Sequence, residues 1–183
     1  MDSASGAGCR VRTSFLPVHE SKSMNESIAP ILGQIPSGLS ILTVRNEEGH
    51  ETGMLASWVQ QAAFEPASVT VAVNKSRYVH GWLKVRTGVA LNLIGEAQKN
   101  LLGHFGKGFE PGVSAFDGLN IERSPAGLPV LQDSLGWLEG TVTDVMDAGD
   151  HTIFLVELTS GGAGTLAGQQ RPWVHVRKSG AHY

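Results

Sequence analysis

From Gly38 onward, the sequence is a series of short apolar runs separated by Gly, Asn, Asp and Pro residues. Runs of this length bounded by turn-forming residues predict β-strands. The predicted strands are Leu39–Arg45, Thr52–Gln61, Ser68–Asn74, Val89–Ile94, Leu138–Asp147 and His151–Thr159, with a last short one near Trp173–Val176. Strands do not alternate regularly with helices, which argues against a doubly wound parallel sheet. The pattern therefore predicts a mainly β fold, a closed antiparallel barrel decorated by a few short helices.

Turns and helices complete this prediction. The loop Asn46–Gly49 suits a hairpin between the first two strands, and Ala148–Asp150 suits a tight turn between the fifth and sixth. Helices are predicted over 76–86 and 96–104. A further short helix is predicted where apolar residues recur at helical spacing, with Ser27 as its N-cap and Pro30 in its first turn; these residues are Ile28, Ile31, Leu32 and Ile35.

Composition limits the classes of protein that the chain can belong to. The 183 residues fit one domain, which we expect over 23–183 after a flexible N-terminal arm at 1–22. A formal net charge of -3 with scattered Lys and Arg residues argues against nucleic-acid binding. No run approaches the roughly 20 apolar residues of a membrane span. The only cysteine is Cys9, so a reducing cytoplasm is the expected location and any redox chemistry needs an organic cofactor.

The segment Thr52–Phe64 is unusual for a strand. Apolar side chains occur on both alternating faces, while Ser57, Gln60 and Gln61 interrupt them. Buried polar groups need hydrogen-bond partners. A flavin ring offers such partners along one edge, and its flat body can rest on apolar side chains such as Met54, Leu55 and Trp58. The alternative is a buried strand whose polar groups bond to neighbouring backbone.

The stretch Asn74–Arg77 closes one predicted strand and opens a predicted helix. Ser76 is a natural N-cap, and Lys75 and Arg77 place two cations beside the first helical N–H groups, which together indicate a phosphate site. The preceding strand carries valines on one face and small residues on the other, which leaves room for a ligand. The alternative is ordinary capping with two solvated cations.

Two histidine segments are further candidates. His151 starts an apolar strand directly after a turn, where an imidazole can hydrogen-bond a reacting ring or a nicotinamide amide. The loop that begins at His104–Lys107 can fold over a ligand. The alternatives are a turn histidine bonded to backbone and a plain helix C-terminus. The seven histidines do not pair with acidic residues at metal-ligand spacing, so no structural metal is predicted.

Taken in order, these pieces resemble the flavin reductase-like family with the FMN-binding split β-barrel, from about Gly33 to Gly161. That family includes flavin reductases, archaeal ferric reductases and the C-terminal module of flavodiiron proteins. The motifs that carry the resemblance are Ser37–Thr43, Gly53–Gln60, Pro66 before Val69–Asn74, Asn74–Arg77, Phe116–Gly118, Gly127–Leu131 and Gly149–His151.

The resemblance implies a homodimer that binds FMN, with FAD as an alternative, and takes hydride from NADH or NADPH. It implies a site in which His151 faces the nicotinamide, and in which three groups of residues contact the flavin. Leu55, Ala56, Ser57, Trp58 and Gln61 would contact the ring and ribityl chain; Asn74, Lys75, Ser76 and Arg77 would hold the phosphate; Phe105 and Gly106 would lie nearby. No role is predicted for the tail Gln169–Tyr183.

Several functions remain compatible with this resemblance. The acceptor of the electrons can be free flavin, oxygen, a ferric complex or a partner oxygenase. A second class of function is a non-enzymatic FMN-binding electron-transfer protein that receives electrons from another protein. A third is a relative of the same barrel that binds heme or resembles pyridoxamine-phosphate oxidases.

Overall fold

The computed structural model describes residues 26–181, and the predicted arm at 1–22 lies outside them. Within this range the chain forms eleven β-strands, two α-helices and one 3₁₀ helix. The helices are α1 (Ala29–Gly33), the 3₁₀ helix (Tyr78–Trp82) and α2 (Lys99–Gly106). The strands are β1 (Ser37–Gly38), β2 (Ser40–Arg45), β3 (Glu51–Ala56), β4 (Val59–Phe64), β5 (Ala67–Asn74), β6 (Gly88–Leu93), β7 (Ile121–Arg123), β8 (Pro129–Leu131), β9 (Gly136–Ala148), β10 (His151–Ala163) and β11 (Val174–His175).

Seven strands form one antiparallel sheet in the order β3-β2-β6-β9-β10-β5-β4. The chain is therefore mainly β and antiparallel, as the sequence predicts. The sheet is not closed, because β3 and β4 are its two edges. This corrects the closed barrel expected from the strand pattern alone and confirms the split barrel that the resemblance implies. β3 nevertheless lies close to β5, so the sheet curls across the gap between its edges.

The core lies on both sides of β2, because successive side chains of a strand point to opposite faces. Leu42 and Val44 pack inside the curled sheet with Val71 and Phe154. Ile41 belongs to the opposite side, in a second cluster with the buried Phe105 of α2. Burial of an apolar side chain stabilises the fold by about 1.5–3 kcal/mol. The second cluster holds α2 against the outer face of the sheet.

Several predicted boundaries are wrong. The predicted strand Thr52–Gln61 is two strands, β3 and β4, separated at Ser57 and Trp58. The predicted helix 76–86 is only a five-residue 3₁₀ helix with Arg77 at its N-cap position. The predicted helix 96–104 is α2, which begins and ends later. α1 has Ile28, not Ser27, at its N-cap position, although Pro30 does lie in its first turn.

The two predicted hairpin connections are confirmed. Gly49 adopts a φ of 87° in the loop after β2, and its N–H donates to the Asn46 carbonyl at 3.1 Å. Gly149 adopts a φ of 84° in the turn that joins β9 to β10. A positive φ favours glycine because it has no Cβ.

The hairpin of β7 and β8 is absent from the sequence-based prediction. Its attachment depends on Asn92, which is fully buried on β6. The Asn92 side chain accepts from the Leu131 N–H at 2.7 Å and donates to the Ile41 carbonyl at 3.0 Å. Both polar atoms of the Asn92 amide therefore have hydrogen-bond partners, and these two bonds join the hairpin to β2.

Candidate functional site

The chain leaves one edge of the sheet at Ser57 and Trp58 and joins the other edge. β3 ends at Ala56, opposite Ser40 of β2, and β4 begins at Val59, opposite Val71 of β5. Since β3 is an edge strand, alternate backbone N–H and C=O groups point away from β2. The interrupted segment thus places open backbone groups beside the gap in the barrel.

An apolar groove of about 270 Å³ runs along this edge of β3. Met54 and Leu55 both line it, although they are successive residues, so the groove follows the strand's edge rather than one face. Small residues form much of its wall, including Ala56, Ala72 and Gly106. The remaining lining residues are Leu39, Ser57, Asn74, Arg77, Leu102 and His175.

A second groove, of about 600 Å³, shares Met54, Asn74 and Arg77 with the apolar one. It is the more polar of the two. It adds a second cation, Lys107, and the loop that follows α2. Its other lining residues are Thr52, Gly53, Ser76, Tyr78, Val79, Gly108, Phe109, Glu110 and Pro111. The two grooves adjoin along these shared residues, with the apolar groove on one side and the cationic groove on the other.

Close packing of α2 on β3 sets the width of the polar groove. A Cβ at Gly53 would lie 3.0 Å from a ring carbon of Phe105, so glycine permits this approach. Gly108 then turns the chain with a φ of 80°, and a Cβ there would lie 3.6 Å from Arg77 Nη1. The His104 ring contacts the Ala115 carbonyl at 2.9 Å and ties down the far end of the loop.

The turn Asn74–Arg77 is held by its own side chains. Asn74 Oδ1 accepts from both the N–H and the hydroxyl of Ser76, at 2.8 and 2.7 Å. Ser76 is therefore not a helix cap, and the five-residue 3₁₀ helix does not provide the predicted helix N-terminus for an anion. Lys75 Nζ lies 2.9 Å from a carboxylate oxygen of Asp147, so this cation pairs with the β9–β10 hairpin. Arg77 is the cation of the turn that lines both grooves.

His151 lies opposite Asn74 in the pairing of β10 with β5. Its ring is buried, with Nδ1 2.9 Å from Asp150 Oδ1 and its centroid 4.7 Å from that of Trp58. The hydrogen bond to His151 lowers the pKa of the Asp150 carboxyl below its usual value. Because Trp58 follows Ser57, His151 is linked to the apolar groove through the Trp58 ring.

The C-terminal segment, whose role was not predicted, forms a wall of the apolar groove. β11 pairs with β1 and brings His175 into the groove lining. The Arg177 guanidinium carbon lies 4.9 Å from the centre of the Trp58 ring, and the Arg177 N–H donates to the Gly33 carbonyl at 3.0 Å. A Cβ on Gly33 would lie 2.8 Å from the Arg177 carbonyl oxygen, so this docking requires glycine.

The structure brings together part of the predicted site. Leu55, Ala56, Ser57, Asn74, Ser76, Arg77 and Gly106 line one or both grooves. The linings described for these two grooves do not include Trp58, Gln61, Lys75, Phe105 or His151. Phe105 is buried behind Gly53, and Gln61 is exposed on β4. Sequence analysis missed Leu102 and His175 as lining residues.

The fold and the joined grooves define a class of protein, the antiparallel split β-barrels with a ligand-sized groove beside the gap between their edges. The model of the flavin reductase like domain family matches residues 32–179. This match extends over more than half of the chain. The chain belongs to the flavin reductase-like family.

Relatives at about one-third identity are longer proteins. The diflavin flavoprotein A 1 of Synechocystis sp. is 35% identical over 167 residues, which are 91% of this chain and 29% of that protein. The putative diflavin flavoprotein A 3 of the same organism is 37% identical over 171 residues, or 93% of this chain and 27% of that protein. The chain therefore spans less than a third of the length of these relatives.

Solved structures share the fold at lower identity. The NADH:FAD oxidoreductase of Streptomyces globisporus superposes with a TM-score of 0.72 at 24% identity, over 80% of this chain and 85% of that one. The styrene monooxygenase flavin reductase of Pseudomonas putida gives 0.66 at 23% identity, over 84% of this chain and 93% of that one. These likenesses establish the fold.

Two structural features are absent from the described residues. Among residues 26–181, no helix is long and apolar enough to cross a membrane. The same range contains no group of three or more His, Cys, Asp or Glu residues arranged to hold a metal ion.

Proposed function

We propose that this chain binds FMN across the two joined grooves and acts as an NAD(P)H-dependent flavin reductase-like oxidoreductase. The observation that carries the proposal is the continuity of the apolar groove with the cationic one through Met54, Asn74 and Arg77. A flavin mononucleotide has the same order of parts, a flat apolar ring followed by a polar chain and a phosphate.

The residues present fit such a ligand. Ala56, Ala72 and Gly106 leave space for a flat ring beside β3. The polar groove, of about 600 Å³, is in the range of ligand sites, and the apolar groove of about 270 Å³ lies just below that range. The open N–H groups of the β3 edge can donate to the electronegative edge of the ring. Arg77 and Lys107 supply the positive charge that a phosphate requires.

The bound flavin would supply hydride acceptance from NADH or NADPH and onward transfer to an acceptor. The protein would position the flavin and shield it from solvent. Ser57 lies in the groove wall where the chain crosses between the two edges. His151 and Arg177 both contact Trp58, the residue after Ser57, and so fix this crossing. A fixed crossing would keep the flavin ring in one orientation for the hydride donor, and such orientation accounts for much of the rate in reactions of this kind.

Anaerobic stopped-flow reduction of the FMN-loaded protein tests the enzymatic part of the proposal. We expect rapid loss of flavin absorbance with NADH or with NADPH. Slow bleaching by both would instead support the non-enzymatic FMN-binding electron carrier. One observation favours that alternative. The match covers only 29% of the diflavin flavoprotein A 1, so another module in a protein of that kind can supply the electrons.

His151→Gln refines the same experiment. We expect slower reduction with unchanged FMN affinity, because His151 contacts Trp58 and is not in the groove lining described. Equal reduction rates in the variant and the parent protein would show that His151 has no part in the transfer of hydride to the flavin. The physiological acceptor, whether free flavin, oxygen, a ferric complex or a partner oxygenase, is left open by the proposal.

We further propose a homodimer in the cytoplasm, built from one domain over 23–183. Exposed apolar side chains support self-association: Ile31 is 69% exposed, Val174 63% and Phe64 90%. The single cysteine in the sequence supports a reducing location. Light scattering coupled to size exclusion measures the mass, and a monomer at micromolar concentration would contradict the dimer.

A further inference from the structure

His175 contributes an imidazole to the wall of the apolar groove, and the proposed function gives it no role so far. Three other polar side chains line this groove, those of Ser57, Asn74 and Arg77. Asn74 Oδ1 already accepts two hydrogen bonds from Ser76, and Arg77 is assigned to the phosphate. Ser57 and His175 are therefore the polar side chains that remain for the flavin ring.

Backbone hydrogen bonds hold His175 in place on β11. Two residues before it, the Trp173 carbonyl accepts from the Leu39 N–H at 3.1 Å. Two residues after it, the Arg177 N–H donates to the Gly33 carbonyl at 3.0 Å. The chain is thus fixed on both sides of His175 without any contribution from the imidazole. A group positioned in advance loses little conformational freedom when a ligand binds.

The imidazole of His175 is half-buried and makes no hydrogen bond or ion pair with any other residue of the range 26–181. Two other histidines near the grooves do have such partners. The His151 ring contacts Asp150, and the His104 ring contacts the Ala115 carbonyl. An imidazole without a protein partner can bond to a ligand, and surrounding apolar side chains strengthen such a bond.

We propose that the His175 imidazole donates a hydrogen bond to the flavin ring and stabilises the reduced form of the ring. This role rests on the proposed flavin site, because it takes the apolar groove as the position of the ring. Reduction increases the negative charge on the ring, so a fixed donor binds the reduced ring more tightly than the oxidised one. His175 would thereby raise the midpoint potential of the bound flavin, without any transfer of a proton.

The midpoint potential of bound FMN, measured anaerobically at one fixed pH, tests this role. His175→Leu keeps an apolar side chain of moderate size in the groove wall and removes the donor. We expect it to weaken the binding of reduced FMN about tenfold more than that of oxidised FMN, the loss expected for one hydrogen bond to a charged group. For a two-electron couple, this difference lowers the midpoint potential by about 30 mV. His175→Gln keeps an N–H donor and should stay close to the parent protein.

Val174→Ala is the matched control. Val174 precedes His175 on β11, is 63% exposed and lies outside the groove lining described, so the variant should have the potential of the parent protein.

Equal potentials in His175→Leu and the parent protein would overturn the role of the imidazole and retain the flavin site. Equal decreases in His175→Leu and His175→Gln would also overturn it, as would loss of oxidised FMN from both variants, because each result would mean that His175 only shapes the groove. No binding of FMN by the parent protein would reject the proposed function and this role together.

Discussion

Arg77 and Lys75 lie two residues apart but have different surroundings. Arg77 lines the apolar and the polar groove, whereas the Lys75 ammonium pairs with Asp147 on the neighbouring hairpin. A prediction from sequence treats both cations alike, since each is close to the same strand end. The structure places only Arg77 in the grooves, and the effect of each cation on ligand affinity can be measured.

Arg77→Ala should weaken FMN binding by about tenfold at low salt and riboflavin binding much less, because only FMN carries the phosphate that Arg77 would contact. The difference should shrink as salt rises. Lys75→Ala is the matched control, for which we expect little change with either ligand. Fluorescence titration gives both affinities. A larger loss in Lys75→Ala than in Arg77→Ala would place the phosphate elsewhere.

At the scale of single residues, the sequence identified residues of the turn 74–77 that line the grooves, but it did not identify their hydrogen bonds. Ser76 was predicted as a helix cap, yet its N–H and hydroxyl both donate to Asn74. The local pattern of a small polar residue between two cations fits either geometry. Whether Ser76 caps a helix or bonds to Asn74 depends on the length of the following helix. Tertiary contacts determine that length, so the sequence of residues 78–86 does not show it.

At the scale of elements, β5 presents two faces of different size. Val69, Val71 and Val73 are buried in the core, while Ala72 and Asn74 line the apolar groove. This alternation follows from the two-residue period of a strand and was predicted from sequence. The small face is what leaves the groove open.

Ala72→Leu should therefore obstruct the groove. We expect it to weaken riboflavin and FMN equally, by about tenfold or more, because overpacking in a fitted site costs about 1–3 kcal/mol. This differs from the phosphate-dependent loss expected for Arg77→Ala. Thr70→Leu places the same side chain on the same face, away from the groove lining, and serves as the control. Unchanged riboflavin binding in Ala72→Leu would show that the ring does not occupy this groove.

Two elements could not be predicted from local sequence. The break between β3 and β4 falls at Ser57 and Trp58, where neither Gly nor Pro marks it, because the chain changes partner from β2 to β5 there. The C-terminal segment reaches the groove through long-range contacts, which include its pairing with β1 and its docking on α1. Both features depend on contacts between residues far apart in the chain.

For the whole molecule, stability should depend on pH through His80, which joins the 3₁₀ helix to β10. Its Nε2 lies 2.9 Å from the Thr152 hydroxyl. Burial, with a contribution from Lys75, lowers the pKa of His80 below its usual value. Between the lowered and the ordinary pKa, the unfolded chain binds more protons than the folded one, so stability rises with pH across this window.

We expect the free energy of unfolding in urea to decrease as pH falls below about 6.5, the ordinary histidine value. His80→Asn should reduce this slope. His50→Asn removes a histidine whose side chain is 70% exposed and should leave the slope unchanged. The same pH dependence in His80→Asn and the parent protein would show that other groups cause the loss of stability at low pH.

The antiparallel β architecture was predictable because strand period and turn residues agree, whereas the split in the barrel was predictable only from the family motifs. The central claim is that its joined grooves hold a flavin, and the absorption spectrum of the protein, purified and then titrated with FMN, tests it most directly. We predict saturable binding of one FMN per chain with a perturbed band near ~450 nm. A Soret band from heme, or a spectrum identical to free FMN at every protein concentration, would contradict the claim.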